Sequence, residues 1–303
     1  MPFYLAIDGG GTKTTCVVGD ETVTLGSATA GGSNVTRHGD ARAREALHAA
    51  VKGACAGAKV DPAQIESACV GLSGAGRPEV RDAVAGMMRE LLRGRVLVIS
   101  DLETTLQAAF GDGPGVITIA GTGSIAYGRD ARGQTARAGG WGLAISDEGS
   151  GQWVGRRAVS AVLGAKDAGE DPPLLGTILR LWKLNSLDEL VRRANASPPP
   201  DFSSLFRPVV DAAGAGDLLA RQLLEQAGSE LAALARNVIR RLFADGASVP
   251  VAMSGGVFRQ SEVIRQVFYN KLTAEFPQAR VNPTVVDAVR GALELARKAL
   301  AGK

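Results

Sequence analysis

The chain has 303 residues, which is enough for two domains of ordinary size. It is 45% hydrophobic and 21% charged, as globular proteins are, and its net charge of +3 without a block of Lys and Arg argues against nucleic-acid binding. Three scattered cysteines form neither a disulfide framework nor a metal-binding pair. The sequence shows no signal region and no apolar run of membrane length, so we expect a cytoplasmic protein without a membrane partner.

The first distinctive stretch follows an apolar run at residues 3–7 that predicts a buried strand. It consists of Asp8, Gly9, Gly10, Gly11, Thr12, Lys13 and Thr14. Three successive glycines predict a hairpin turn whose backbone N–H groups hold a phosphate, with hydroxyl donors from Thr12 and Thr14 and a metal beside Asp8. The alternative is a hairpin turn without function, because Asp-Gly is common at strand ends and the Walker A spacing is missing.

The rest of the first half alternates strands and helices. We predict strands at residues 23–28, 65–72 and 96–99, a helix over residues 40–58 capped by Asp40, and a second helix that begins at Pro78 and ends near residue 92. Asn34 lies in a glycine-rich loop, as a turn residue or as a carboxamide facing a sugar hydroxyl. His38 and His48 are interpreted as surface or packing residues.

Asp101 follows the apolar run at residues 96–99, which predicts a central buried strand. A carboxylate at the carboxyl end of such a strand lies where α/β sheets bind their ligands. Asp101 could instead cap the helix over residues 102–110, a role that Ser100 could also take.

A second copy of the opening pattern follows a glycine-rich linker at residues 111–115. A strand at residues 116–120 leads into a turn of Gly121, Thr122, Gly123 and Ser124, and residues 125–129 form the returning strand. Two phosphate hairpins, one in each half, indicate two similar lobes that face one another across a nucleotide. The turn also fits a dinucleotide fingerprint weakly, because the segment after it is strand-like rather than helical.

Glycines surround a tryptophan at Gly140, Trp141 and Gly142, which indicates backbone that closes on a small ligand. Trp141 is by frequency more often a core residue than a sugar platform. Asp147 and Glu148 are expected at the start of a helix over residues 150–163, where they could serve the helix dipole or grip a polyol. Ala144 and Ile145 are candidates for a wall that reads the sugar substituent.

The last third is mainly helical, with predicted helices at residues 172–206 (broken by three prolines at 198–200), 208–213, 217–243, 261–276 and 285–300. A buried strand at residues 249–253 ends in Ser254, Gly255 and Gly256. This diglycine permits the backbone to approach a flat base or a ribose.

Taken together in this order, the motifs resemble those of the N-acetylglucosamine kinase branch of the BadF/BadG/BcrA/BcrD ATPase family, within the sugar kinase/actin/Hsp70 superfamily. The resemblance covers residues 5–299. It implies an α/β fold with two ribonuclease-H-like, actin-like ATPase lobes and a ligand cleft between them. The first lobe would comprise residues 1–113, completed by a C-terminal helix at 285–303. The second would comprise residues 114–284 with helical insertions.

The resemblance also implies roles for single residues. Asp8 with Mg²⁺ and the segment Gly9 to Thr14 would face the β- and γ-phosphates of ATP, Gly121 to Ser124 would form the second phosphate loop, and Gly255 and Gly256 would line adenosine. Asp101 matches the catalytic base. The positions that match those around the amino sugar are Asn34, Ser73, Gly74, Asp101, Thr122, Gly140, Trp141, Gly142 and Asp147.

The sequence therefore predicts an ATP-dependent kinase that acts on an amino sugar, and the resemblance implies a homodimer. The acceptor stays open among glucosamine, N-acetylglucosamine, N-acetylmuramic acid and glucose. Two alternatives remain: an ATPase activator or switch without a sugar acceptor, and a non-catalytic sugar-binding regulator. The repressor/glucokinase branch is disfavoured because its clustered zinc cysteines are missing. The iron–sulfur activators are disfavoured because Cys16, Cys55 and Cys69 do not match their motif.

Overall fold

The computed structural model describes residues 2–301, which form two compact units. Unit 1 comprises Met1–Gly113 together with Val286–Lys303, and unit 2 comprises Pro114–Val285. Each unit contains one five-stranded mixed sheet with helices packed against it.

Unit 1 contains a sheet whose strand order is β3-β2-β1-β4-β5. Its strands are β1 (Phe3–Gly9), β2 (Lys13–Gly19), β3 (Thr24–Gly31), β4 (Ile65–Leu72) and β5 (Arg95–Ser100). Its helices are α1 (Val35–His38), α2 (Asp40–Ala58), α3 (Pro78–Arg89), α4 (Asp101–Phe110) and α12 (Ala288–Ala301), with a 3₁₀ turn at Pro62–Gln64. The first three strands form an antiparallel meander, while β4 runs parallel to both β1 and β5.

Side chains alternate across the β1 strand and so supply two cores. Leu5 and Ile7 belong to a cluster with residues of α2 and α3, whereas Tyr4 and Ala6 pack with residues of α12. The sheet is thus covered on both faces. Gly291 of α12 lies against α4 so closely that a Cβ atom there would be 2.0 Å from the Thr104 carbonyl oxygen.

Unit 2 contains a sheet whose strand order is β10-β9-β6-β7-β8. Its strands are β6 (Gly115–Ala120), β7 (Ser124–Arg129), β8 (Thr135–Gly139), β9 (Pro250–Ser254) and β10 (Arg280–Val286). Its helices are α5 (Gly151–Asp167), α6 (Pro173–Trp182), α7 (Leu187–Ala194), α8 (Phe206–Gly214), α9 (Leu218–Leu242), α10 (Gly256–Gln260) and α11 (Glu262–Glu275), with a 3₁₀ turn at Phe202–Leu205. Strand β6 pairs antiparallel with β7 and parallel with β9, which repeats the pattern of unit 1.

Several predicted boundaries are wrong in informative ways. Gly39, rather than Asp40, is the N-cap of α2. Of the two N-caps that the sequence left open for α4, Ser100 is the one observed. The segment at 280–286 is a strand, so the last helix begins at Ala288 and not at residue 285. Its Val281 and Pro283 lie too near the following helix for the apolar pattern to separate strand from helix. The predicted third strand is also longer, since β3 continues to Gly31.

The three cysteines are buried and free, as the sequence analysis expects of a chain without a disulfide framework. Within residues 2–301, no helix has both the length and the apolar character needed to cross a membrane.

Candidate functional site

The first turn, residues 9–13, joins β1 to β2 and is held through its carbonyl oxygens. The Gly9 carbonyl accepts from Ser73 N at 3.0 Å, and the Gly10 carbonyl accepts from Ser33 N at 3.1 Å. The Gly11 carbonyl lies 2.7 Å from Nε2 of His38, so the imidazole donates through that nitrogen. Three neighbouring segments therefore fix three successive peptide planes.

These bonds set the direction of the amide groups in the turn. A trans peptide is planar, with N–H and C=O on opposite sides. Because the Gly10 and Gly11 carbonyls point to protein partners, the N–H groups of Gly11 and Thr12 point away from them. The side chains of Thr12 and Lys13 are exposed. The N–H groups of Gly11 and Thr12 thus share one direction, and the binding of phosphate by this turn stays a prediction.

Thr14 corrects one expectation. Its side chain is fully buried, and its hydroxyl lies 2.7 Å from the Gly31 carbonyl oxygen and 2.8 Å from Ser33 Oγ. The Thr14 hydroxyl therefore ties the turn to the end of β3 instead of offering a donor to a ligand.

Asn34 is a turn residue, one of the two roles that the sequence left open, and its contact with a sugar hydroxyl stays a prediction. Its Oδ1 accepts from Arg37 N at 3.0 Å as the N-cap of α1, and its Nδ2 lies 3.4 Å from Ser73 Oγ. Gly74 is exposed, with a φ of +93°. The segment after β3 and the segment after β4 thus meet through Asn34 and Ser73, beside the first turn.

Asp101 is the first residue of α4, directly after β5. Its half-buried carboxylate accepts from the Ser100 hydroxyl at 3.2 Å, and its main-chain oxygen accepts from the hydroxyl of Thr105 at 2.6 Å. Burial raises the pKa of the Asp101 carboxyl to about 6, against the opposing effect of the Ser100 hydroxyl and nearby backbone N–H groups. Asp101 is therefore a stronger base than an ordinary aspartate.

The second turn, residues 121–124, joins β6 to β7 in unit 2. The Gly121 carbonyl accepts from Gly151 N at 2.9 Å, and the Thr122 carbonyl accepts from Gln152 N at 3.3 Å. These donors belong to the first turn of α5, whose N–H groups have no partner within the helix. By the same peptide geometry, the N–H groups of Thr122 and Gly123 point away from α5. The β7 strand follows directly, so the weak dinucleotide fingerprint is wrong.

Asp147 lies beneath the second turn. Its backbone φ is +72°, its side chain is only 5% exposed, and its Oδ1 accepts from Ser124 N at 3.2 Å. Burial raises the pKa of the Asp147 carboxyl, the Ser124 N–H lowers it, and the nearby Glu148 carboxylate raises it again. The predicted start of the helix at residue 150 is confirmed, because Ser150 caps α5, and Asp147 and Glu148 precede this cap.

The Trp141 loop, residues 140–149, connects β8 to α5. Trp141 is 61% exposed, so its interpretation as a core residue is wrong. The Arg137 guanidinium lies 4.0 Å from the centre of the Trp141 ring. Gly140 and Gly142 have φ values of +68° and +102°, which permit the sharp path of the chain on either side of the tryptophan.

Gly255 and Gly256 follow β9 and start α10, a helix that the sequence analysis missed. Gly255 has a φ of +99°, and a Cβ atom there would lie 2.2 Å from the Ala120 carbonyl oxygen. This glycine therefore allows the end of β9 to touch the residue that precedes the second turn.

Asp8 ends the apolar part of β1, opposite Thr15 of β2 and beside Gly71 of β4. Among residues 2–301, no group of three or more His, Cys, Asp and Glu side chains could hold a metal ion. An all-protein metal cage is thus absent from the described part of the chain. A single carboxylate fits Mg²⁺ that also binds phosphates and water.

The sequence gave no indication of three contacts at these turns and loops, those made by Ser33, His38 and Arg137. A glycine-rich loop next to a histidine carries no signal for a bond to a turn 27 residues away. Arg137 and Trp141 are four residues apart, but they belong to a strand and a loop, so helical spacing does not apply to them.

The chain is similar to curated kinases along almost its whole length. It is 31% identical to an N-acetylmuramic acid/N-acetylglucosamine kinase of Clostridium acetobutylicum, over 98% of this chain and 99% of that protein. It is 28% identical to an N-acetyl-D-glucosamine kinase of Dictyostelium discoideum, over 97% of each chain.

A solved structure from Chromobacterium violaceum, provisionally assigned as an N-acetylglucosamine kinase, superposes with a TM-score of 0.77. It is 27% identical and covers 98% of this chain and 99% of its own. The predicted α/β fold of actin-like sugar kinases is thereby confirmed. The family model of the BadF/BadG/BcrA/BcrD ATPases matches residues 5–296. The chain therefore belongs to the BadF/BadG/BcrA/BcrD ATPase family.

Proposed function

We propose that the chain transfers the γ-phosphoryl group of ATP to the 6-OH of an amino sugar such as N-acetylglucosamine or glucosamine. The comparisons confirm the predicted class of enzyme, a kinase of amino sugars, because the curated relatives carry that activity. The choice of the 6-OH and the identity of the amino sugar go beyond this class and belong to the proposal.

The Asp101 carboxylate is the observation that supports the proposal most directly. A pKa of about 6 leaves it mostly ionised at neutral pH, yet basic enough to accept a proton from a hydroxyl. The Ser100 hydroxyl, 3.2 Å from Oδ1, orients the carboxylate. In this mechanism Asp101 takes the proton of the sugar hydroxyl as its oxygen attacks the phosphorus, and the β-phosphate oxygen of ADP leaves.

The two turns would stabilise the phosphates. Phosphoryl transfer needs positioning and charge neutralisation more than covalent chemistry from the protein. The outward N–H groups of Gly11 and Thr12 in unit 1, and of Thr122 and Gly123 in unit 2, would donate to phosphate oxygens. A Cβ atom at Gly121 would have nothing within 4 Å, so there is open space over that turn.

Asp8 is the residue that would hold Mg²⁺, as a hard oxygen ligand beside the first turn. When bound, the ion would neutralise charge on the phosphates. Gly255 and Gly256 would line the adenosine, since backbone without side chains can approach a flat base.

The proposed contacts of the amino sugar are the residues that match the family's sugar positions. In unit 1, Asn34, Ser73 and Gly74 surround the first turn, and Asp101 would accept from the reacting hydroxyl. In unit 2 the proposed residues are Thr122, Gly140, Trp141, Gly142 and Asp147. We also propose that the protein is a homodimer and that it is located in the cytoplasm. Light scattering in solution tests the dimer.

The decisive experiment measures ADP release from Mg²⁺·ATP with a panel of hexoses and amino sugars, for the wild type and for Asp101→Asn. We expect one amino sugar to stimulate release, and Asp101→Asn to lower kcat about 10²- to 10⁴-fold, the usual contribution of a general base. Phosphorus NMR of the product, with coupling to the two C6 protons, tests the position of transfer.

Asp40→Asn is a matched control, because Asp40 is also the first residue of a helix but is exposed. It should leave kcat unchanged. If ADP release is indifferent to every sugar, the chain is an ATPase switch instead of a kinase. If Asp101→Asn keeps the kcat of the wild type, Asp101 is not the general base.

The pKa of Asp101 predicts the pH dependence of the reaction. Activity should rise with pH through about 6 and then level, as the base becomes ionised. Because the folded pKa lies above the ordinary value of 3.8, ionisation destabilises the fold as pH rises from about 4 to about 6. At pH 8, Asp101→Asn should therefore melt at a higher temperature than the wild type while being less active, which calorimetry measures.

A further inference from the structure

Ser33, in the loop between β3 and α1, contacts the first turn through its backbone and through its side chain. Its N–H donates to the Gly10 carbonyl at 3.1 Å. Its Oγ lies so close to Gly9 that a Cβ atom on that glycine would be 2.5 Å from it. Ser33 is fully buried, so its hydroxyl acts on the turn and has no contact with solvent.

The hydrogen bonds of the Ser33 hydroxyl have a definite direction. Thr14 Oγ1 lies 2.7 Å from the Gly31 carbonyl oxygen and 2.8 Å from Ser33 Oγ. A carbonyl oxygen can only accept, and a threonine hydroxyl has a single proton, so Thr14 donates to Gly31. Ser33 therefore donates to Thr14. This chain of two buried hydroxyls connects the loop after β3 to the first residues of β2.

The position of Ser33 determines the direction of a backbone donor in the turn. The Gly10 carbonyl and the Gly11 N–H belong to one peptide plane and point in opposite directions. The bond from Ser33 N to the Gly10 carbonyl thus fixes the Gly11 N–H, which the proposed function assigns to a phosphate oxygen. Donors that are already oriented bind an anion without reorganisation, so a turn that loses this support should bind phosphate more weakly.

We propose that Ser33 is a positioning residue for phosphoryl transfer, because the Ser33–Thr14 pair holds the first turn in the conformation that binds the β- and γ-phosphates of ATP. This inference rests on the proposed kinase function. It adds a residue that touches no substrate, and it gives Thr14 a task other than the phosphate contact that the resemblance implies.

The test measures the binding of two nucleotides in the presence of Mg²⁺ by isothermal titration calorimetry. One is AMP-PNP, a non-hydrolysable analogue of ATP, and the other is AMP, which lacks the β- and γ-phosphates. In Ser33→Ala we expect the Kd for AMP-PNP to rise about 3- to 10-fold, the equivalent of one lost hydrogen bond. The Kd for AMP should stay unchanged, because AMP has no phosphate that the first turn would hold.

Thr14→Val tests the pair from its other side. Valine has nearly the shape of threonine but neither donates nor accepts a hydrogen bond, so the Ser33 hydroxyl loses its acceptor. We expect the Kd for AMP-PNP to rise in this variant as well. The double variant should bind AMP-PNP no more weakly than the weaker single variant, because both substitutions remove the same interaction.

Ser67→Ala is the matched control, because Ser67 is another fully buried serine, in strand β4 of the same sheet. Within residues 2–301, the Ser67 hydroxyl has no hydrogen-bond partner. This variant should bind both nucleotides as the wild type does. In the ADP-release assay, Ser33→Ala should raise the KM for ATP by a factor similar to its Kd effect and leave kcat unchanged, whereas Ser67→Ala should change neither.

The outcomes separate this inference from the proposed function. Unchanged AMP-PNP binding by a folded Ser33→Ala variant, or equal losses for AMP-PNP and AMP, would overturn the inference and leave the kinase standing. If Ser33→Ala does not fold, Thr14→Val decides by the same criterion. A wild type whose ADP release no sugar stimulates overturns the kinase, while the calorimetry still tests Ser33, because AMP-PNP binding needs no acceptor. A wild type that does not bind AMP-PNP overturns both.

Discussion

The two glycine turns reach the same backbone arrangement by different means. In unit 1, the carbonyls of the first turn are held by Ser73 N, Ser33 N and the His38 imidazole, which come from the segments after β3 and β4. In unit 2, the carbonyls of the second turn are held by the first N–H groups of α5, with the Asp147 carboxylate on Ser124 N.

The difference indicates how each turn can be adjusted. The first turn depends on loop residues that the proposed sugar site also uses, namely Ser73 and the segment around Asn34. The second turn depends on a helix N-terminus, which is rigid and needs these carbonyls to satisfy its own donors. Substitution of a side chain that holds the first turn should therefore alter ligand binding, whereas substitution of Asp147, which holds the second turn, should alter stability.

The largest effect is expected from Asp147→Ala. An alanine at a φ of +72° is strained, and the buried Ser124 N–H loses its acceptor, so we expect a loss of about 2–4 kcal/mol in the free energy of unfolding. Asp147→Asn keeps an acceptor oxygen and tolerates this φ. Denaturant unfolding should therefore place Asp147→Asn close to the wild type; equal destabilisation of the two variants would contradict this role of the side-chain oxygen.

The same substitution in both turns gives the next largest contrast. A Cβ atom at Gly9 would lie 2.4 Å from Leu72 Cδ1 and 2.5 Å from Ser33 Oγ, both of them buried residues, while Gly121 has open space. Gly9→Ala should cost about 1–3 kcal/mol by overpacking.

Gly121→Ala should leave the free energy of unfolding within about 0.5 kcal/mol of the wild type, as substitutions away from packed features do. If phosphate binds over the second turn, the added methyl group of Gly121→Ala should nevertheless raise the KM for ATP several-fold. An unchanged KM for ATP in a stable Gly121→Ala variant would remove this turn from the phosphate site.

The smallest effect is expected from the histidine at the first turn. His38→Ala removes one bond to the Gly11 carbonyl and should cost about 0.5–1.5 kcal/mol. His48→Ala is the matched control, because its Nε2 lies 2.8 Å from the Met87 carbonyl oxygen, away from the turn. Both should lower the melting temperature similarly, but only His38→Ala should raise the KM for ATP. A matching rise in His48→Ala would show that the effect is one of general stability.

Much of the fold could be predicted because its signals are local. The strands at residues 65–72 and 96–99 and the helix from Pro78 have apolar patterns and start residues that identify them within a few positions. The repetition of an apolar run, a glycine turn and a returning strand indicated two similar units. The helix α10 was missed because five residues are too few to show a helical period. The strand β10 was missed because Asn282, Pro283 and Thr284 interrupt its apolar residues just before the last helix.

The residue types of the proposed site were determined by the sequence alone: a carboxylate after a central strand, two glycine turns, and a glycine-rich loop around Trp141. Tertiary structure decided what each side chain does there. It buried Thr14, exposed Trp141, capped α4 with Ser100, and placed Asp147 against an amide 23 residues away. Periodicity reports which face of an element is buried, but hydrogen bonds between distant segments depend on how those segments pack, and no local pattern encodes that.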